Sequence, residues 1–157
     1  MKKITPFLWF NNDLQEAIEF YKSVFKNITV NQTNTYPKSG PEPEGKLMTA
    51  SFIIEGQEFV ALNCTSEFRF NESISFVINC DTQDEIDHYW EGLSKGGQTS
   101  YCGWLKDRFG LSWQIVPSIM GKLYSDPDKK KTARVMQAMM QMSKFDIPTL
   151  MAAYNGD

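Results

Sequence analysis

The chain has 157 residues and a mass of 18.0 kDa, enough for one domain to bury about two-thirds of its unfolded surface. Sixteen basic and nineteen acidic side chains give a formal charge of −3, and the one lysine cluster, 129–131, is short. Nucleic-acid binding depends mainly on clustered positive charge, so the composition argues against a nucleic-acid partner. No segment approaches the roughly 18 apolar residues of a membrane span, and three cysteines without metal-ligand spacing indicate reduced thiols in a cytoplasmic protein.

The first half of the chain predicts a strand, a helix and then more strands. Residues 4–10 are an almost unbroken apolar run, typical of a short buried strand. Asn12 or Asp13 is expected to cap the following helix, which carries apolar residues at helical spacing. Residues 28–36 predict an exposed strand.

A loop and a hairpin complete this half. Residues 37–45 contain three prolines and two glycines, which predicts a mobile loop without regular structure. Residues 46–64 predict a hairpin that turns at Glu55–Gly56.

The second half repeats this order. Residues 74–80 predict a strand, 82–95 a helix that ends at Gly96–Gly97, and 98–117 a hairpin that turns within 106–110. Residues 4–21 and 72–89 correspond at an offset of 68, which aligns three pairs of identical residues: Asp13 with Asp81, Ile18 with Ile86 and Tyr21 with Tyr89. The order is therefore βαβββ twice, in modules of about 4–64 and 72–117.

A helical extension, 118–157, follows the repeat. Asp126–Pro127 predicts the start of a helix of about four turns, and a last short helix is expected near Asp146. The first helix carries an apolar stripe rich in methionine, either an adaptable binding surface or a cover for the sheet or for a partner subunit.

Two tandem βαβββ modules resemble the vicinal oxygen chelate superfamily, which includes glyoxalase I, extradiol dioxygenases and bleomycin-resistance proteins. The similarity is closest to the PhnB-like group and covers residues 4 to about 117, on motifs such as ITPFLWF, EAIEFYKSVF and CGWLKDRFGLSWQIVP. The resemblance implies an α+β fold in which two modules form a cup-shaped mixed sheet around a cavity, in a domain of residues 1–117. Some members carry the label demethylubiquinone methyltransferase, but this chain has no glycine-rich strand-to-helix turn for S-adenosylmethionine.

In the resembled superfamily, a metal is held by side chains of the first and last strand of each module. Counting from Asp81 and Gly110, and applying the repeat, gives the equivalent positions as Phe7, Val60, Ser75 and Gln114. Only Gln114 is a plausible ligand, whereas divalent catalytic metals need three or more donors. Slipping a strand by one residue, to Pro6 or Ala61, does not restore the set. We therefore expect no metal and no cofactor.

Other chemical groups are open to two interpretations. Cys64 and Cys102 are candidate nucleophiles, but buried structural thiols are commoner. The only histidine, His88, is a candidate base or a solvated helical residue. Residues 106–108 (Lys-Asp-Arg) either bind an anion at the rim of the cup or simply form a hairpin turn.

The sequence thus favours a small-molecule binding protein with an aromatic-lined cavity and no metal. The candidate ligand-binding residues are Phe7, Trp9, Val60, Ser75, Trp104 and Gln114. One alternative is a metal-assisted enzyme of the lyase, dioxygenase or isomerase type, with Gln114 as one ligand. Another is a structural or regulatory dimer whose cavity is filled by its own side chains. Whether the chain is an enzyme stays open, and a homodimer is expected because sheet edges and apolar faces need cover.

Overall fold

The computed structural model describes residues 3–157. The chain divides into two compact units, residues 1–69 and 70–157. Each unit contains one βαβββ module built on a four-stranded mixed sheet, and the second unit also contains the C-terminal helices. The predicted α+β fold with two tandem modules is confirmed.

The first unit has the strand order β1-β4-β3-β2, with β1 parallel to β4 and the other pairs antiparallel. Its elements are β1 (Phe7–Phe10), α1 (Leu14–Val24), β2 (Ile28–Thr35), β3 (Leu47–Ile54) and β4 (Gln57–Asn63). Glu55 and Gly56 both have positive φ, as a two-residue hairpin turn requires, so the predicted turn is confirmed.

One face of this sheet packs against α1. Alternate strand residues, among them Leu8, Phe52 and Phe59, are buried there. The residues between them point to the opposite face, which we call the groove face.

The buried strand expected over residues 4–10 is present, but it is shorter and buried on one face only. Strand β1 begins at Phe7, Ile4 is 88% exposed, and Phe7 and Trp9 are half-exposed while Leu8 and Phe10 are buried. The apolar run continues on both faces of β1, but in this unit the helix covers only one of them.

The start of α1 is held by a residue far along the chain. Asp13 is the N-cap but makes no capping hydrogen bond with its side chain. Instead, Asn63 at the end of β4 accepts a hydrogen bond from the Leu14 amide (3.1 Å) and donates one to the Leu47 carbonyl (2.9 Å). Asn12, the other predicted cap, adopts a left-handed conformation and joins the loop that precedes β3.

That loop, 37–45, has no regular structure, as expected. Hydrogen bonds to Glu42 attach it to neighbouring residues. The Glu42 carboxylate accepts hydrogen bonds from Lys46 Nζ (2.8 Å), Thr65 Oγ1 (2.7 Å) and the Thr65 amide (3.0 Å). The Lys46 and Thr65 hydrogen bonds lower the pKa of Glu42 to about 2.

The second unit repeats the first in the order β5-β8-β7-β6, with a longer first strand and three shorter following strands. Its module consists of β5 (Ser75–Cys80), α2 (Gln83–Ser94), β6 (Gln98–Thr99), β7 (Trp104–Lys106) and β8 (Ser112–Pro117). Thr82 and Glu85 form a capping box at the start of α2.

The C-terminal extension forms α3 (Met120–Tyr124), α4 (Lys129–Met139) and α5 (Ile147–Asn155). Helix α5 starts where expected, with Asp146 accepting from the Thr149 amide. The predicted start of α4 is wrong: the cap is Asp128, and the helix has three turns. Asp126 instead accepts a hydrogen bond from the Asp128 amide and one from the Tyr154 hydroxyl, which places it in a turn before the helix.

Hydrogen bonds to the backbone of the C-terminal extension attach it to the module. The Gln83 side chain donates to the Phe145 carbonyl and accepts from the Ile147 amide, so it bridges the start of α5. The amides of Cys102 and Gly103 donate to the carbonyls of residues 142 and 143.

The methionine-rich stripe is only partly covered. Val135 is fully buried, but Met136 and Met140 are 42% and 61% exposed. Among residues 3–157, no helix is long and apolar enough to cross a membrane.

Candidate functional site: two grooves on the sheet faces

A row of four aligned residues crosses the groove face of the first unit. Phe7 pairs with Val60, Val60 with Ser51, and Ser51 with Gln32, so one residue of each strand lies in the row. Side chains of directly paired residues lie on the same face of a sheet and close together. The row forms the floor of a groove.

This groove has a volume of about 430 Å³. Its lining is mainly polar, with Phe7 as its one aromatic side chain; it includes Thr5, Gln32, Asn34, Thr49, Ser51, Glu58 and Val60. Phe7 is 59% exposed, so the ring offers an open apolar surface beside hydroxyl and amide groups.

The equivalent row in the second unit is Val77, Gln114 and Trp104. The backbone gives the same equivalence, because the Cys64 amide donates to the Phe10 carbonyl as the Ser118 amide donates to the Cys80 carbonyl. The counterpart of Phe7 is therefore Val77, so Phe7 and Ser75, which the repeat predicts to be equivalent, differ by two residues in register. Strand β1 corresponds to β5 at an offset of 70, whereas the helix N-caps, Asp13 and Thr82, lie at an offset of 69, because the connection before α1 is one residue longer than the one before α2.

The predicted positions for a superfamily metal are Phe7, Val60, Ser75 and Gln114. Phe7 and Val60 carry no donor atom, and neither does Val77, the register counterpart of Phe7. Gln114 Nε2 already donates to Ser75 Oγ (2.8 Å), a diagonal contact between β8 and β5. Across residues 3–157 there is also no group of three or more His, Cys, Asp or Glu side chains arranged to hold a metal ion. These residues do not fit the superfamily's metal.

A second groove, of about 360 Å³, lies on the face of the second sheet that carries Trp104 and Gln114, which is the groove face of this unit. It combines two aromatic residues, one ion pair and a set of small polar residues: Glu72, Gln98, Thr99, Ser100, Tyr101, Trp104, Leu105, Lys106 and Ser112. Lys106 Nζ is 2.5 Å from Glu72 Oε1, and this hydrogen bond lowers the pKa of Glu72. Tyr101 is 71% exposed.

The six predicted ligand-binding residues are distributed between the two units. Phe7 and Val60 line the first groove and Trp104 lines the second. Trp9 shares the face of Phe7, but its indole donates to the Cys64 carbonyl (3.0 Å) and its ring contacts Phe68. Ser75 and Gln114 are bound to each other and lie outside the lining of either groove.

Sequence reasoning missed Glu72, Tyr101 and the 98–100 segment of the second groove. The only available signal was the polar sequence Gln-Thr-Ser before Tyr101, which predicts an exposed edge strand. Glu72 gave no signal, because its partner Lys106 is 34 positions away and the pairing depends on the tertiary structure.

The structure separates the two interpretations of residues 106–108. Asp107 is 2% exposed and serves the hairpin turn, accepting hydrogen bonds from the amides of Phe109 and Leu111 and from the Trp113 indole. Lys106 instead lines the groove. Asp107 is therefore structural, whereas its neighbour Lys106 lies in the groove and is ion-paired with Glu72.

The thiols and the histidine are not grouped for nucleophilic catalysis. Cys80 is buried, and burial, followed by the nearby charges of Glu85 and Asp81, raises its pKa to about 12. Cys102 Sγ contacts the Met139 carbonyl, and His88 lies exposed on α2.

A family model described as 3-demethylubiquinone-9 3-methyltransferase matches residues 2–116. No curated protein matches the chain in sequence. Among solved structures, the chain is similar to a PhnB protein of Bacillus cereus described by the same enzyme name, with 32% identity and a TM-score of 0.68, covering 74% of this chain and 99% of that one.

Two more distant structures share the fold. Protein PA1353 of Pseudomonas aeruginosa is 22% identical, with a TM-score of 0.61 over 74% of this chain and 98% of that one. The fosfomycin resistance protein FosX of Mesorhizobium loti is 11% identical, with a TM-score of 0.58 over 80% of this chain and 100% of that one.

Proposed function

Because the chain belongs to the 3-demethylubiquinone-9 3-methyltransferase family of PhnB-like proteins with the vicinal oxygen chelate fold, we propose that it binds a small organic molecule on its groove faces without that superfamily's metal. The observation that carries the proposal is the pair of cross-strand rows. In both modules the first and last strands lie side by side, but among the predicted metal positions on them only Gln114 is a plausible ligand, and it is hydrogen-bonded to Ser75.

The volumes and linings of the grooves support a small ligand. Both volumes fall in the lower part of the range of about 300–1,000 Å³ that is common for such sites. Each groove joins an aromatic surface to several hydroxyl and amide groups, a combination that suits an organic molecule of one or two rings.

We do not propose methyl transfer for this chain, although the family's descriptive name contains that activity. The connections from β1 to α1 and from β5 to α2 contain Asn, Asp and Thr and no glycine, so neither has the close backbone approach that a nucleotide-like cofactor needs.

Elemental analysis of protein purified without chelator tests the metal-free part of the proposal. We expect Zn, Mn, Ni and Fe well below one atom per chain. One atom per chain would overturn this part and favour the metal-assisted enzyme, whose remaining ligands would come from substrate or water. Native mass spectrometry of the same preparation tests for a co-purified organic ligand.

We also propose that the protein is a homodimer. Both sheets have unpaired edge strands, and large apolar side chains stay exposed near β1 and β5: Phe7, Phe68, Ile74 and Val77. Pairing of two chains covers such surfaces. Sedimentation should give twice the chain mass at micromolar concentration, and a monomer there would refute the proposal.

A further inference from the structure

The second groove contains an ion pair whose two members are held very differently. The Lys106 side chain is 30% exposed and belongs to β7, whereas the Glu72 side chain is 63% exposed and belongs to the irregular segment before β5. Displacing the more exposed carboxylate into water costs less than displacing the lysine. An incoming anion therefore replaces Glu72 as the partner of Lys106 more readily than an incoming cation replaces Lys106 as the partner of Glu72.

The aromatic groups of this groove are next to that lysine. Trp104 lies two residues before Lys106 on the same face of β7, and Tyr101 belongs to the turn just before it. Within residues 3–157 the indole N–H of Trp104 and the hydroxyl of Tyr101 make no side-chain hydrogen bond. The groove thus presents flat apolar surface, two available hydrogen-bonding groups and one cation.

We propose that the second groove binds a planar aromatic acid of one or two rings, whose acidic group takes the place of Glu72 on Lys106 and whose ring lies against Trp104 and Tyr101. This inference rests on the proposed small-molecule function and names its ligand class. Glu72 acts in it as an internal competitor for Lys106, which holds the lysine in place until the ligand's acidic group arrives.

Two substitutions of the same ion pair should act in opposite directions. Lys106→Met removes the cation and should weaken binding of the acid by about two- to fivefold, the range for a partly exposed ion pair. Glu72→Gln removes the competitor and should strengthen binding by a similar factor. A purely structural role of the ion pair would instead weaken binding in both variants.

Isothermal titration calorimetry with indole-3-acetate and its uncharged analogue indole-3-acetamide provides the test on the full chain. Native protein should prefer the acid, and Lys106→Met should abolish that preference. Control variants are Lys122→Met and Glu91→Gln, which change the same charges at exposed positions outside the groove. Both should bind like native protein.

Other outcomes overturn the inference. If acid and amide bind equally and Trp104→Leu removes both, the groove binds neutral rings: the proposed function stands and the anion preference fails. If the acid binds but neither Lys106→Met nor Glu72→Gln alters its affinity, the acid binds elsewhere. If neither probe binds at millimolar concentration, the aromatic-acid class is wrong, and native mass spectrometry decides the broader function separately.

Discussion

Single side chains connect parts of this chain that are far apart in sequence. Asn63 caps a helix whose first residue is 49 positions earlier, and it fixes β3 with the same amide group. A local reading of the sequence selects Asn12 or Asp13 as the cap because both precede the helix. Asp13 does occupy the N-cap position, but the side chain that bonds the first helical amide could not be predicted, because that bond depends on where the end of β4 lies beside β1.

Glu42 makes a pH-dependent contribution to the stability of the folded protein. Its pKa is lowered from 4.5 to about 2 in the folded protein, chiefly by hydrogen bonds from Lys46 and Thr65. A carboxyl whose folded pKa is depressed contributes stability that is present above its unfolded pKa and is lost as the pH falls through its folded pKa. The contribution is therefore complete above pH 4.5 and disappears between 4.5 and about 2.

We expect Glu42→Gln to lower the melting temperature at neutral pH, with a difference from native protein that shrinks through this window. Circular dichroism melts across the pH range measure it. Glu44→Gln, an exposed glutamate of the same loop, is the matched control and should follow the native curve. A difference between native and Glu42→Gln that stays constant down to pH 2 would contradict the role of Glu42.

At the scale of elements, the extension packs closely against the turn before β7. Gly103 has a φ of 79°, and a Cβ there would lie 2.6 Å from both the Ile115 carbonyl oxygen and the Phe145 ring. Gly103→Ala should cost about 2–4 kcal/mol of unfolding free energy, from the left-handed backbone and from overpacking. Urea denaturation measures the loss.

Gly121→Ala is the control for this substitution. Gly121 lies in α3, and a Cβ there meets no atom within 4 Å. Alanine is favoured over glycine in a helix by up to about 1 kcal/mol, so this variant should be unchanged or slightly more stable. Equal losses in the two variants would show that the clash at Gly103 is relieved without cost.

The elements themselves were largely predictable, because hydrophobic period and turn chemistry are local properties. The hairpin at Glu55–Gly56 and the start of α5 at Asp146 follow from residues within a few positions. Register was not predictable in this way. The repeat aligns best on helical residues, and carrying its offset into the strands paired Phe7 with Ser75, whereas the strand register pairs Phe7 with Val77.

At the scale of the whole molecule, the extension is part of the second unit and carries buried apolar residues of its own: Met120, Leu123, Val135, Phe145 and Leu150. Ending the chain after Pro117 removes all five and exposes the surfaces that they cover. We expect the shortened protein to be less soluble and to melt at a lower temperature.

A chain that ends at Asn155 is the control, because it keeps every buried residue of the extension. The comparison requires soluble yield and melting temperature for both shortened chains beside the full chain. Native yield and native melting temperature after truncation at Pro117 would show that the extension adds nothing to the stability of the module.

The turn of residues 101–104 belongs to two structures at once. Tyr101 and Trp104 line the second groove, while Cys102 and Gly103 between them donate their amides to the extension. A loop that is already fixed by contacts with the extension loses less conformational entropy when a molecule binds to its other side. Such a coupling is reciprocal: the factor by which the docked extension raises the affinity of the groove for a ligand is also the factor by which a bound ligand strengthens docking of the extension. For the ligand proposed above, occupancy of the second groove and docking of the extension are therefore linked.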